Sequence, residues 1–464
     1  MATQKPEKAN PIQLEFDRGT LVLQGDVPEG VRLPGCVYDS RVGRWRAQAY
    51  RYREVLTTLH RAGLSYENRA GGFETLELLS REQRVPFPYQ DEAVSAFFAE
   101  GRRGVVVLPT GAGKTFVAQL ILERLGRSGL VVTPTLDLVQ QWYGVLKTAF
   151  DRPVGVVGGG EYDVQDLTVT TYDSAYIHME RLGDRFAVLV VDECHHLPGP
   201  TYSTAAEMCL APFRLGLTAT PEREDGLETK LDRLVGPVVY RREIGELAGE
   251  FLSDYETTRL EVSLSEEEMH RYEEERAIYR AFLEQEGLRL GGRGGWQRFL
   301  ATTSRSERGR RAFLAYRAQK AIAQASEAKL RLLGDLLLRH RRDRVLIFTS
   351  DNETVYKISR RFLVPAITHQ TKVKERHRLL SGFNDGRYPF LVTSKVLNEG
   401  VDVPAANIGI VLSGSGSVRE HVQRLGRILR RGEGKRAKLY EVVARDTAEE
   451  YTSRRRRQHG AYER

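Results

Sequence analysis

The sequence has few cysteines and no long apolar run. Its 464 residues include only Cys36, Cys194 and Cys209, with no C-x-x-C pair. This excludes a disulfide scaffold and leaves no zinc-finger pattern. No apolar run approaches the ~20 residues that a membrane-spanning helix requires. The polar N-terminus, MATQKPEKANPIQ, also lacks the apolar segment of a secretory signal. The sequence therefore predicts a soluble cytoplasmic protein without membrane contact.

Charge and composition favour a folded protein with an acidic partner. Hydrophobic residues make up 41% and charged residues 28% of the chain, which excludes global disorder. The net charge of +8 favours binding to nucleic acid. Only 13 of the 70 basic residues are lysine, however, and codon bias toward arginine is an equally simple cause of the charge. Net charge alone therefore does not distinguish nucleic-acid binding from codon bias, and the sequence motifs are needed for that distinction.

Hydropathy patterns divide the chain into regions. Residues 12–80 alternate apolar and polar positions and include a helical pattern at 47–64, which predicts a small α+β unit. Short Val/Leu strands alternate with helical segments in residues 85–240 and again in 329–443, the pattern of parallel α/β sheets. Residues 264–320 are polar and helical, split by a GGRGG run.

These patterns predict an α/β protein with two parallel-sheet domains, an N-terminal α+β domain and a helical insertion. Four consecutive arginines at 454–457 lie close to the C-terminus, most simply in a solvated tail. The predicted boundaries are 1–84 for the N-terminal domain, 85–245 for the first α/β domain, 246–325 for the helical region, 326–450 for the second α/β domain and 451–464 for the basic tail.

A glycine-containing loop follows the strand-like run VVVL at residues 105–108 and precedes a helical pattern. In this context small residues let backbone N–H groups close around a phosphate, and the helix N-terminus adds partial positive charge. Lys114 would reach the β- and γ-phosphate oxygens, and Thr115 would ligate Mg²⁺. The strict pattern G-x-x-x-x-G-K-[ST] fails only at Leu108. The predicted nucleotide-binding loop consists of Pro109, Thr110, Gly111, Ala112, Gly113, Lys114 and Thr115.

Two adjacent carboxylates follow the apolar run AVLVV at residues 187–191. Asp192 would hold Mg²⁺ and Glu193 would polarise the attacking water, since ligands bind at the carboxyl ends of parallel strands. A solvated acidic turn is the alternative for this pair alone, and the phosphate loop upstream argues against it. Cys194, His195 and His196 also follow, but three adjacent ligands on one short segment cannot surround a zinc ion.

The order of four motifs resembles that of a superfamily 2 helicase. They are LPTGAGKT at 108–115, DECH at 192–195, LTAT at 217–220 and QRLGRILR at 423–430. Further segments resemble XPB helicases in their short prokaryotic form. These are TYDSA at 171–175, RED at 223–225, THQT at 368–371, LNEGVDVP at 397–404 and LSGSGS at 412–417. In addition, YDSR at 38–41 and YRYR at 50–53 are similar to that family's damage-recognition domain.

This resemblance implies two RecA-like domains with a helical thumb, and it implies roles for individual residues. Gln90 would read the adenine edge, with Phe87 standing near the place where the family usually has an arginine. Thr218 and Thr220 would couple the nucleotide state to the second domain. The remaining implied nucleotide-site residues are Gly400 and Asp402, which contact nucleotide and nucleic acid, Gln423 in the same cleft, and the arginine fingers Arg427 and Arg430.

The resemblance also implies sequence-independent DNA contacts, since hydroxyls and backbone amides at helix N-termini suit phosphates. These contacts are assigned to Thr135, residues 136–140, Thr170, Thr171, Thr349, Ser350, Thr393 and Ser394. The triplet Arg223, Glu224 and Asp225 is implied in strand separation, although spacing alone predicts only a charged surface loop. In the thumb, an acidic helix precedes a basic one. The basic helix either grips a DNA backbone or pairs with the acidic one.

The function implied is an ATP- and Mg²⁺-dependent DNA helicase or translocase, with 3′→5′ polarity, in excision repair or transcription-linked opening. Its partners would be forked or damaged duplex DNA and a nuclease, and its location the prokaryotic nucleoid. Three alternatives remain: a duplex translocase that never separates strands, an RNA helicase, and a damage-binding module with residual ATPase. DECH and RED argue against the second, and the intact nucleotide motifs against the third.

Overall fold

The structure is a computed structural model that describes most of the chain. It covers residues 11–456 apart from 29, 82–83, 224, 291–293, 395–405, 415–416 and 430–435. Two compact units divide the chain: the first holds residues up to 108 and 113–242, and the second holds 109–112 and the residues from 243 onward. No helix within the described ranges is long and apolar enough to cross a membrane.

The N-terminal domain is a five-stranded sheet with one helix. Its strands are β1 Ile12–Asp17, β2 Thr20–Gln24, β3 Val37–Asp39, β4 Arg44–Gln48 and β5 Tyr66–Asn68, in the order β3-β4-β2-β1-β5. All pairs are antiparallel except β1 with β5. Helix α1, Tyr52–Arg61, buries Tyr52, Val55 and Leu59 against this sheet. The predicted helix at 47–64 is too long, because Ala47 pairs with Leu21 in the sheet.

The N-terminal domain packs against the first α/β domain of the same unit. Leu210 is fully buried in the N-terminal core cluster. A Cβ atom added at Gly19, which has φ +85°, would lie 2.6 Å from side-chain atoms of Met208. The segment that leaves the domain is fixed by hydrogen bonds from Leu76 N to Gly126 O (2.8 Å) and from Ser80 N to Glu123 Oε1 (3.0 Å).

The first α/β domain contains an eight-stranded sheet in the order β13-β6-β12-β11-β7-β10-β8-β9. Its strands are β6 Arg103–Val107, β7 Gly129–Thr133, β8 Val154–Gly158, β9 Glu161–Tyr162, β10 Leu167–Thr171, β11 Val188–Asp192, β12 Phe213–Thr218 and β13 Val238–Arg241. Every pair is parallel except β8 with β9. The central strands are buried along their whole length, which explains their valine-rich sequences.

Six α-helices lie in the described part of this domain. They are α2 Pro88–Ala99, α3 Lys114–Leu125, α4 Leu136–Phe150, α5 Tyr172–Leu182, α6 Tyr202–Glu207 and α7 Lys230–Leu234. Short 3-10 turns lie at Cys194–His196 and Leu227–Thr229. Helices α3, α4 and α5 each follow directly on a parallel strand, so their N-termini lie at the carboxyl edge of the sheet.

The second unit contains a six-stranded, fully parallel sheet in the order β14-β19-β18-β15-β17-β16. Its strands are β14 Tyr255–Val262, β15 Val345–Phe348, β16 Ala366–Ile367, β17 Phe390–Thr393, β18 Ile408–Val411 and β19 Ala437–Ala444. Its helices are α8 Ile244–Leu247, α12 Glu327–Arg339, α13 Asn352–Phe362, α14 Val373–Asn384, α15 Val418–Ile428 and α16 Ala448–Arg456.

The helical insertion lies between β14 and α12. It consists of α9 Glu266–Gln285, α10 Gly295–Thr303 and α11 Glu307–Gln324, packed around fully buried Phe299. Glu275 and Arg311 join α9 to α11 through two bonds, of 2.6 and 3.0 Å. Acidic and basic helices therefore pair at this point, as one of the two alternatives predicts. Since β14 is a strand of the second sheet, the purely helical part begins later than residue 246. The domain boundaries themselves stay predictions.

These elements confirm the predicted fold class. Two parallel sheets flanked by helices, an N-terminal α+β domain and a helical insertion are all present in the described residues. In the first sheet, β6, β12 and β11 are direct neighbours. The three motifs that follow these strands are thereby brought to one edge.

Candidate nucleotide site and nucleic-acid interface

The predicted phosphate loop connects β6 to α3. Gly111 and Gly113 have φ values of +89° and +78°, in the left-handed region that glycine adopts without strain. A Cβ atom at Gly113 would lie 2.6 Å from Gln90 Nε2. The loop therefore requires glycine at position 113 for both conformation and space. It opens onto the N-terminus of α3, where free amides and the helix dipole favour a phosphate.

Leu108 stands where the strict phosphate-loop pattern has glycine, and it directly follows the last residue of β6. Its side chain is fully buried, and its backbone N–H donates to Thr218 O at 3.0 Å. Its carbonyl accepts a hydrogen bond from Lys114 Nζ at 3.2 Å. The turn does not require a glycine at position 108, because the left-handed conformations of the loop occur at Gly111 and Gly113. The lysine ammonium lies at the start of the loop.

Gln90, predicted to read adenine, is buried beside the phosphate loop. Its Oε1 accepts from Phe87 N at 3.0 Å, which closes the first turn of α2. The Phe87 and Tyr89 rings are stacked, with centroids 5.8 Å apart. The guanidinium of Arg84 lies 4.5 Å from the centroid of Phe116 in α3. Sequence reasoning missed Arg84, whose only signal is a cation shortly before Gln90.

The acidic pair ends β11 and is held from two helices, α4 at the Asp192 side chain and α5 at the backbone. Trp142 Nε1 in α4 donates to Asp192 Oδ2 at 2.9 Å. Tyr172 in α5 donates its hydroxyl to Asp192 O and Glu193 O, at 3.0 and 3.2 Å. Glu193 has φ +48°, an uncommon conformation for a residue other than glycine. This geometry fixes where both carboxylates lie. Sequence reasoning missed Trp142 and Tyr172.

A buried polar chain connects the acidic pair to the predicted coupling motif. His195 Nδ1 lies 3.0 Å from Thr218 Oγ1 and 3.5 Å from Glu193 Oε2. Thr218 Oγ1 in turn donates to Thr220 O at 3.2 Å. Burial raises the pKa of the Cys194 thiol well above its usual range, so this cysteine is a neutral core residue.

The donor set at this edge fits a magnesium–nucleotide complex. Glu193 Oε2 is buried and accepts no hydrogen bond within the described part of the chain. Carboxylate and hydroxyl oxygens from Asp192, Glu193 and Thr115 are hard ligands of the kind that Mg²⁺ prefers. No cluster of three His, Cys, Asp or Glu residues able to hold a metal alone occurs among the described residues. Mg²⁺ usually binds one or two carboxylates together with substrate phosphates.

The RED triplet lies against the acidic motif. Arg223 donates from Nε and Nη2 to the two carboxylate oxygens of Asp225, at 2.8 and 2.6 Å. Its Nη1 donates to the carbonyl of His195. The Arg223 guanidinium lowers the pKa of Asp225 to about 2. Two members of the triplet thus form an ordered pair joined to the DECH backbone. Glu224 lies outside the described residues.

Two predicted DNA-contact residues of the first domain are helix caps. Thr135 and Thr171 follow the neighbouring strands β7 and β10 and precede α4 and α5. Their hydroxyls accept backbone N–H groups, of Leu138 at 3.3 Å and of Ser174 at 3.1 Å. Backbone amides at these N-termini would be left for a DNA phosphate, whereas the Thr171 hydroxyl already donates to Ser174 Oγ at 3.0 Å. Their DNA role stays a prediction.

The second unit holds its predicted contact hydroxyls in internal bonds. Thr349 Oγ1 donates to Asp351 O at 2.9 Å, and Thr393 Oγ1 donates to Ser394 O at 3.3 Å. Both side chains are fully buried. DNA contacts at these places would therefore be made by neighbouring groups or by the backbone.

Residues 423–428 of the QRLGRILR motif lie in α15, where Gln423 is buried. Arg424 is also buried, and its Nη2 donates to Glu420 Oε1 at 2.6 Å. Its guanidinium lies 5.3 Å from the Phe348 centroid. Arg424 is thus a structural arginine of the second unit. Four other predicted positions lie outside the described residues or have side chains outside them: Gly400, Asp402, Arg427 and Arg430.

Three family profiles match the chain. The profile "Xeroderma pigmentosum group B helicase damage recognition domain" matches residues 14–70, "Type III restriction enzyme, res subunit" matches 83–223, and "Helicase conserved C-terminal domain" matches 328–432. Two solved structures share the fold. The chain matches the Pyrococcus furiosus Hef helicase domain with a TM-score of 0.52 at 19% identity, over 81% of this chain and 99% of that one. It matches Saccharomyces cerevisiae Dbp5 bound to RNA and ADP BeF3 with a TM-score of 0.57 at 13% identity, over 82% and 88%.

The two parallel sheets share the fold of these helicase structures. The helicase profile and the relatives identify the class of this chain as helicase or translocase. The chain is 40% identical to the "DNA 3'-5' translocase XPB2" of Sulfurisphaera tokodaii, over 92% of this chain and 96% of the relative. It belongs to the XPB helicase family. It is 29% identical to the "DNA 3'-5' helicase XPB" of Mycobacterium tuberculosis, over 80% of this chain and 62% of that protein. It spans half of an Arabidopsis thaliana transcription and DNA repair factor IIH subunit, at 26% identity.

Proposed function

We propose that this protein is an ATP-dependent DNA translocase and helicase of 3′→5′ polarity that opens duplex DNA. The observation that carries this proposal is the joining of three motifs at one sheet edge. The phosphate loop, the acidic pair and the LTAT motif follow the neighbouring strands β6, β11 and β12. His195 hydrogen-bonds to Thr218 and Arg223, so a change at the acidic pair has a direct route to both the coupling motif and the RED triplet.

In this proposal each residue has a defined role in ATP hydrolysis. The amides of the phosphate loop bind the β-phosphate, and Lys114 leaves the Leu108 carbonyl to neutralise the β- and γ-oxygens. Bound Mg²⁺ supplies charge neutralisation at the same oxygens. Asp192 and Thr115 would hold this ion, with Asp192 oriented by Trp142. Glu193 takes the proton of the attacking water, for which its unbonded buried Oε2 is suited.

The arginine fingers complete the proposed site. Arg427 and Arg430 would stabilise the charge that develops on the transferring phosphoryl group, for which a planar, permanently charged guanidinium is suited. Gln423, Gly400 and Asp402 would complete the nucleotide contacts. The helicase domains support ATP use as a class property.

Translocation along duplex DNA without strand separation is the second candidate. It is favoured by the relative of 40% identity, which is named a translocase, whereas the bacterial relatives are named helicases. Both candidates require the same ATPase site and differ only in whether the strands separate. The RED triplet is the feature of this chain assigned to that step.

The proposed cellular process is DNA repair or transcription-linked opening, and the proposed protein partner is a nuclease. Repair or transcription-linked opening is supported by relatives that are named as subunits of transcription and DNA repair factor IIH. Association with a nuclease, and a location at the cytoplasmic nucleoid, rest on family resemblance. Co-purification of a nuclease from the native host with the tagged chain is the measurement for that partner.

One paired experiment tests the function. ATP hydrolysis is measured without DNA, with single strands and with duplex, and displacement of a labelled strand from a fork is measured on the same preparation. We expect DNA-stimulated hydrolysis together with displacement from a 3′-tailed fork. Stimulation by duplex with no displacement would favour the translocase, and the absence of any DNA stimulation would contradict both candidates.

A further inference from the structure

A groove in the second unit lies between the helical insertion and the loop after β15. Its cavity volume is about 760 Å³. One wall is formed by α10 and α11, including Trp296 and Arg317, and the other by the start of α13, including Glu353. None of the residues assigned to ATP hydrolysis lines it. Its walls combine exposed aromatic, aliphatic and basic side chains.

Trp296 forms a braced aromatic surface in this groove. Its ring centroid lies 5.4 Å from that of Phe299 and 5.2 Å from that of Tyr316. Phe299 is fully buried in the core of the insertion, yet 41% of Trp296 is exposed. The indole is therefore supported on one side and open on another. An exposed aromatic face held in this way suits stacking of a nucleobase, and every base offers such a face.

A basic stripe runs along the groove side of α11. Arg310, Leu314, Arg317, Ala321 and Gln324 follow the i, i+4, i+7, i+11, i+14 spacing of one helix face. The side chains of Arg310 and Arg317 are exposed and form no ion pair with any residue that the structure describes. Their neighbour Arg311 is instead paired with Glu275. The helix thus uses Arg311 internally. Arg317 lines the groove, and Arg310 lies on the same helix face outside the groove lining, so both can meet an external anion.

The groove is continuous with a loop already assigned to DNA. Gln324 Oε1 accepts a hydrogen bond from Ser350 Oγ at 2.7 Å, which joins the end of α11 to that loop. Asp351 and Glu353 lie on the opposite wall, and Asp351 already caps α13 through Thr354 N at 2.8 Å. These carboxylates repel phosphates. A DNA backbone would therefore follow α11 with its bases directed into the groove.

We propose that this groove binds single-stranded DNA, with one unpaired base stacked on Trp296 and the adjacent phosphates on Arg310 and Arg317. The inference rests on the proposed function and extends it, because a stacked base would hold the strand that the motor has separated. Stacking and phosphate pairing act on different parts of the nucleotide, so they can be separated by experiment.

The test compares three variants of the full chain on two oligonucleotides. Trp296→Ala, Trp296→Phe and the control Leu338→Ala are titrated with labelled oligo(dT) and with an abasic strand of equal length. Leu338 is exposed on α12 and does not line the groove. We expect Trp296→Ala to weaken oligo(dT) binding about 5- to 50-fold, the range for loss of one stacked base, and Trp296→Phe to restore most of it. Abasic-strand binding should change less than twofold.

Arg317→Ala provides the complementary measurement. It should weaken both strands equally and reduce the slope of log K against log salt concentration by roughly 0.7, because single-stranded DNA releases fewer counterions per phosphate contact than duplex. Equal weakening of both strands by Trp296→Ala would overturn the stacking proposal, as would unchanged affinity for both. Thermal melting of each variant identifies loss of the fold, and the Phe variant keeps the test valid if the Ala variant melts.

Wild-type behaviour separates this inference from the proposed function. If wild-type protein shows DNA-stimulated hydrolysis and the Trp296 variants bind as it does, the groove proposal alone fails. If neither single-stranded nor duplex DNA stimulates hydrolysis by the wild-type protein, the proposed function fails as well. A labelled apolar peptide is titrated in parallel. If the Trp296 variants lose peptide binding and keep DNA binding, the groove is a protein-docking site and the DNA assignment is wrong.

Discussion

The two parallel sheets place their charged groups differently. At the carboxyl edge of the first sheet, Lys114 donates to a backbone carbonyl and pairs with no carboxylate among the described residues, and Glu193 Oε2 accepts no hydrogen bond from them. In the second unit, Lys329 is fully buried, bonded to Glu449 at 2.6 Å and to Leu412 O at 2.7 Å, and Arg424 is bonded to Glu420. The first domain keeps charges available for a ligand, and the second uses them to fix its own loops. Removing a lysine should therefore impair ligand binding or catalysis in the first domain and lower folding stability in the second unit.

The largest difference is expected between the two lysines. Lys114→Ala should lower ATP turnover at least ~10³-fold with little change in melting temperature, because its charge acts on nucleotide phosphates. DNA binding should largely remain, because DNA contacts are spread over other elements. Lys329→Ala should instead cost about 3–5 kcal/mol of unfolding free energy, because it leaves a buried carboxylate without its partner. Single-turnover hydrolysis and denaturant titration of both variants test the contrast.

A lysine outside both sites provides the control. Lys147→Ala changes an exposed lysine of α4 whose ammonium lies near Tyr143. It should leave turnover and stability within about twofold and ~0.5 kcal/mol, as for most surface substitutions. If the Lys114→Ala variant hydrolysed ATP at the wild-type rate, the assignment of Lys114 to the phosphate site would be wrong.

Two arginines of the QRLGRILR motif, Arg424 and Arg427, both lie in α15 and sharpen the comparison inside one helix. Arg427→Ala should lower kcat about 10²- to 10³-fold and keep ATP affinity within tenfold, because an arginine finger acts mainly on the transition state. Arg424→Ala should chiefly lower stability, because Glu420 loses a buried partner. The measurements are kcat, KM and the unfolding midpoint of each variant. An unchanged kcat with raised KM in Arg427→Ala would make that residue a binding group.

The strands of both domains could be predicted from the sequence, whereas contacts between distant segments could not. Valine-rich runs identified β6, β7 and β11 because a buried parallel strand is apolar on both faces. Local periodicity predicts an N-terminal helix that overlaps the end of β4. It is wrong there because the pairing of Ala47 with Leu21 leaves no local signal in the sequence.

The nucleotide site shows the same limit. Lys114, Thr115, Asp192 and Glu193 follow their strands directly, so local motifs revealed them. Trp142 reaches Asp192 from fifty positions away and carries no local signal. Arg424 of α15 is likewise buried through its contacts with Phe348 and Glu420, which motif spacing does not predict.

A smaller effect is expected at the residue that orients the metal carboxylate. Trp142→Phe keeps most of the buried ring and removes only the Nε1–H bond to Asp192 Oδ2. We expect a loss of roughly tenfold in kcat, or in apparent Mg²⁺ affinity, as is typical when an outer-shell partner of a ligand is removed. A magnesium titration of turnover separates the two. A lowered melting temperature with an unchanged magnesium profile would make Trp142 a packing residue only.

The smallest effect on hydrolysis is expected in the RED triplet, where strand separation should respond instead. Arg223 and Asp225 hold each other through two hydrogen bonds, and Arg223 also reaches the His195 carbonyl. The triple Ala variant should keep DNA-stimulated hydrolysis within a few-fold of wild type, because Lys114, Asp192 and Glu193 are unchanged, and displace a strand far more slowly.

Single variants divide the triplet's two roles. Glu224→Ala leaves the Arg223–Asp225 pair intact, so it should keep hydrolysis at the wild-type rate and reports only on strand separation. Arg223→Ala removes the contact to His195, so any loss of hydrolysis in the triple variant should reappear there. Phosphate release and fork unwinding are measured on one preparation of each. Equal loss of both activities in Glu224→Ala would assign the triplet to domain closure, and unchanged unwinding in the triple variant would return it to a charged surface loop.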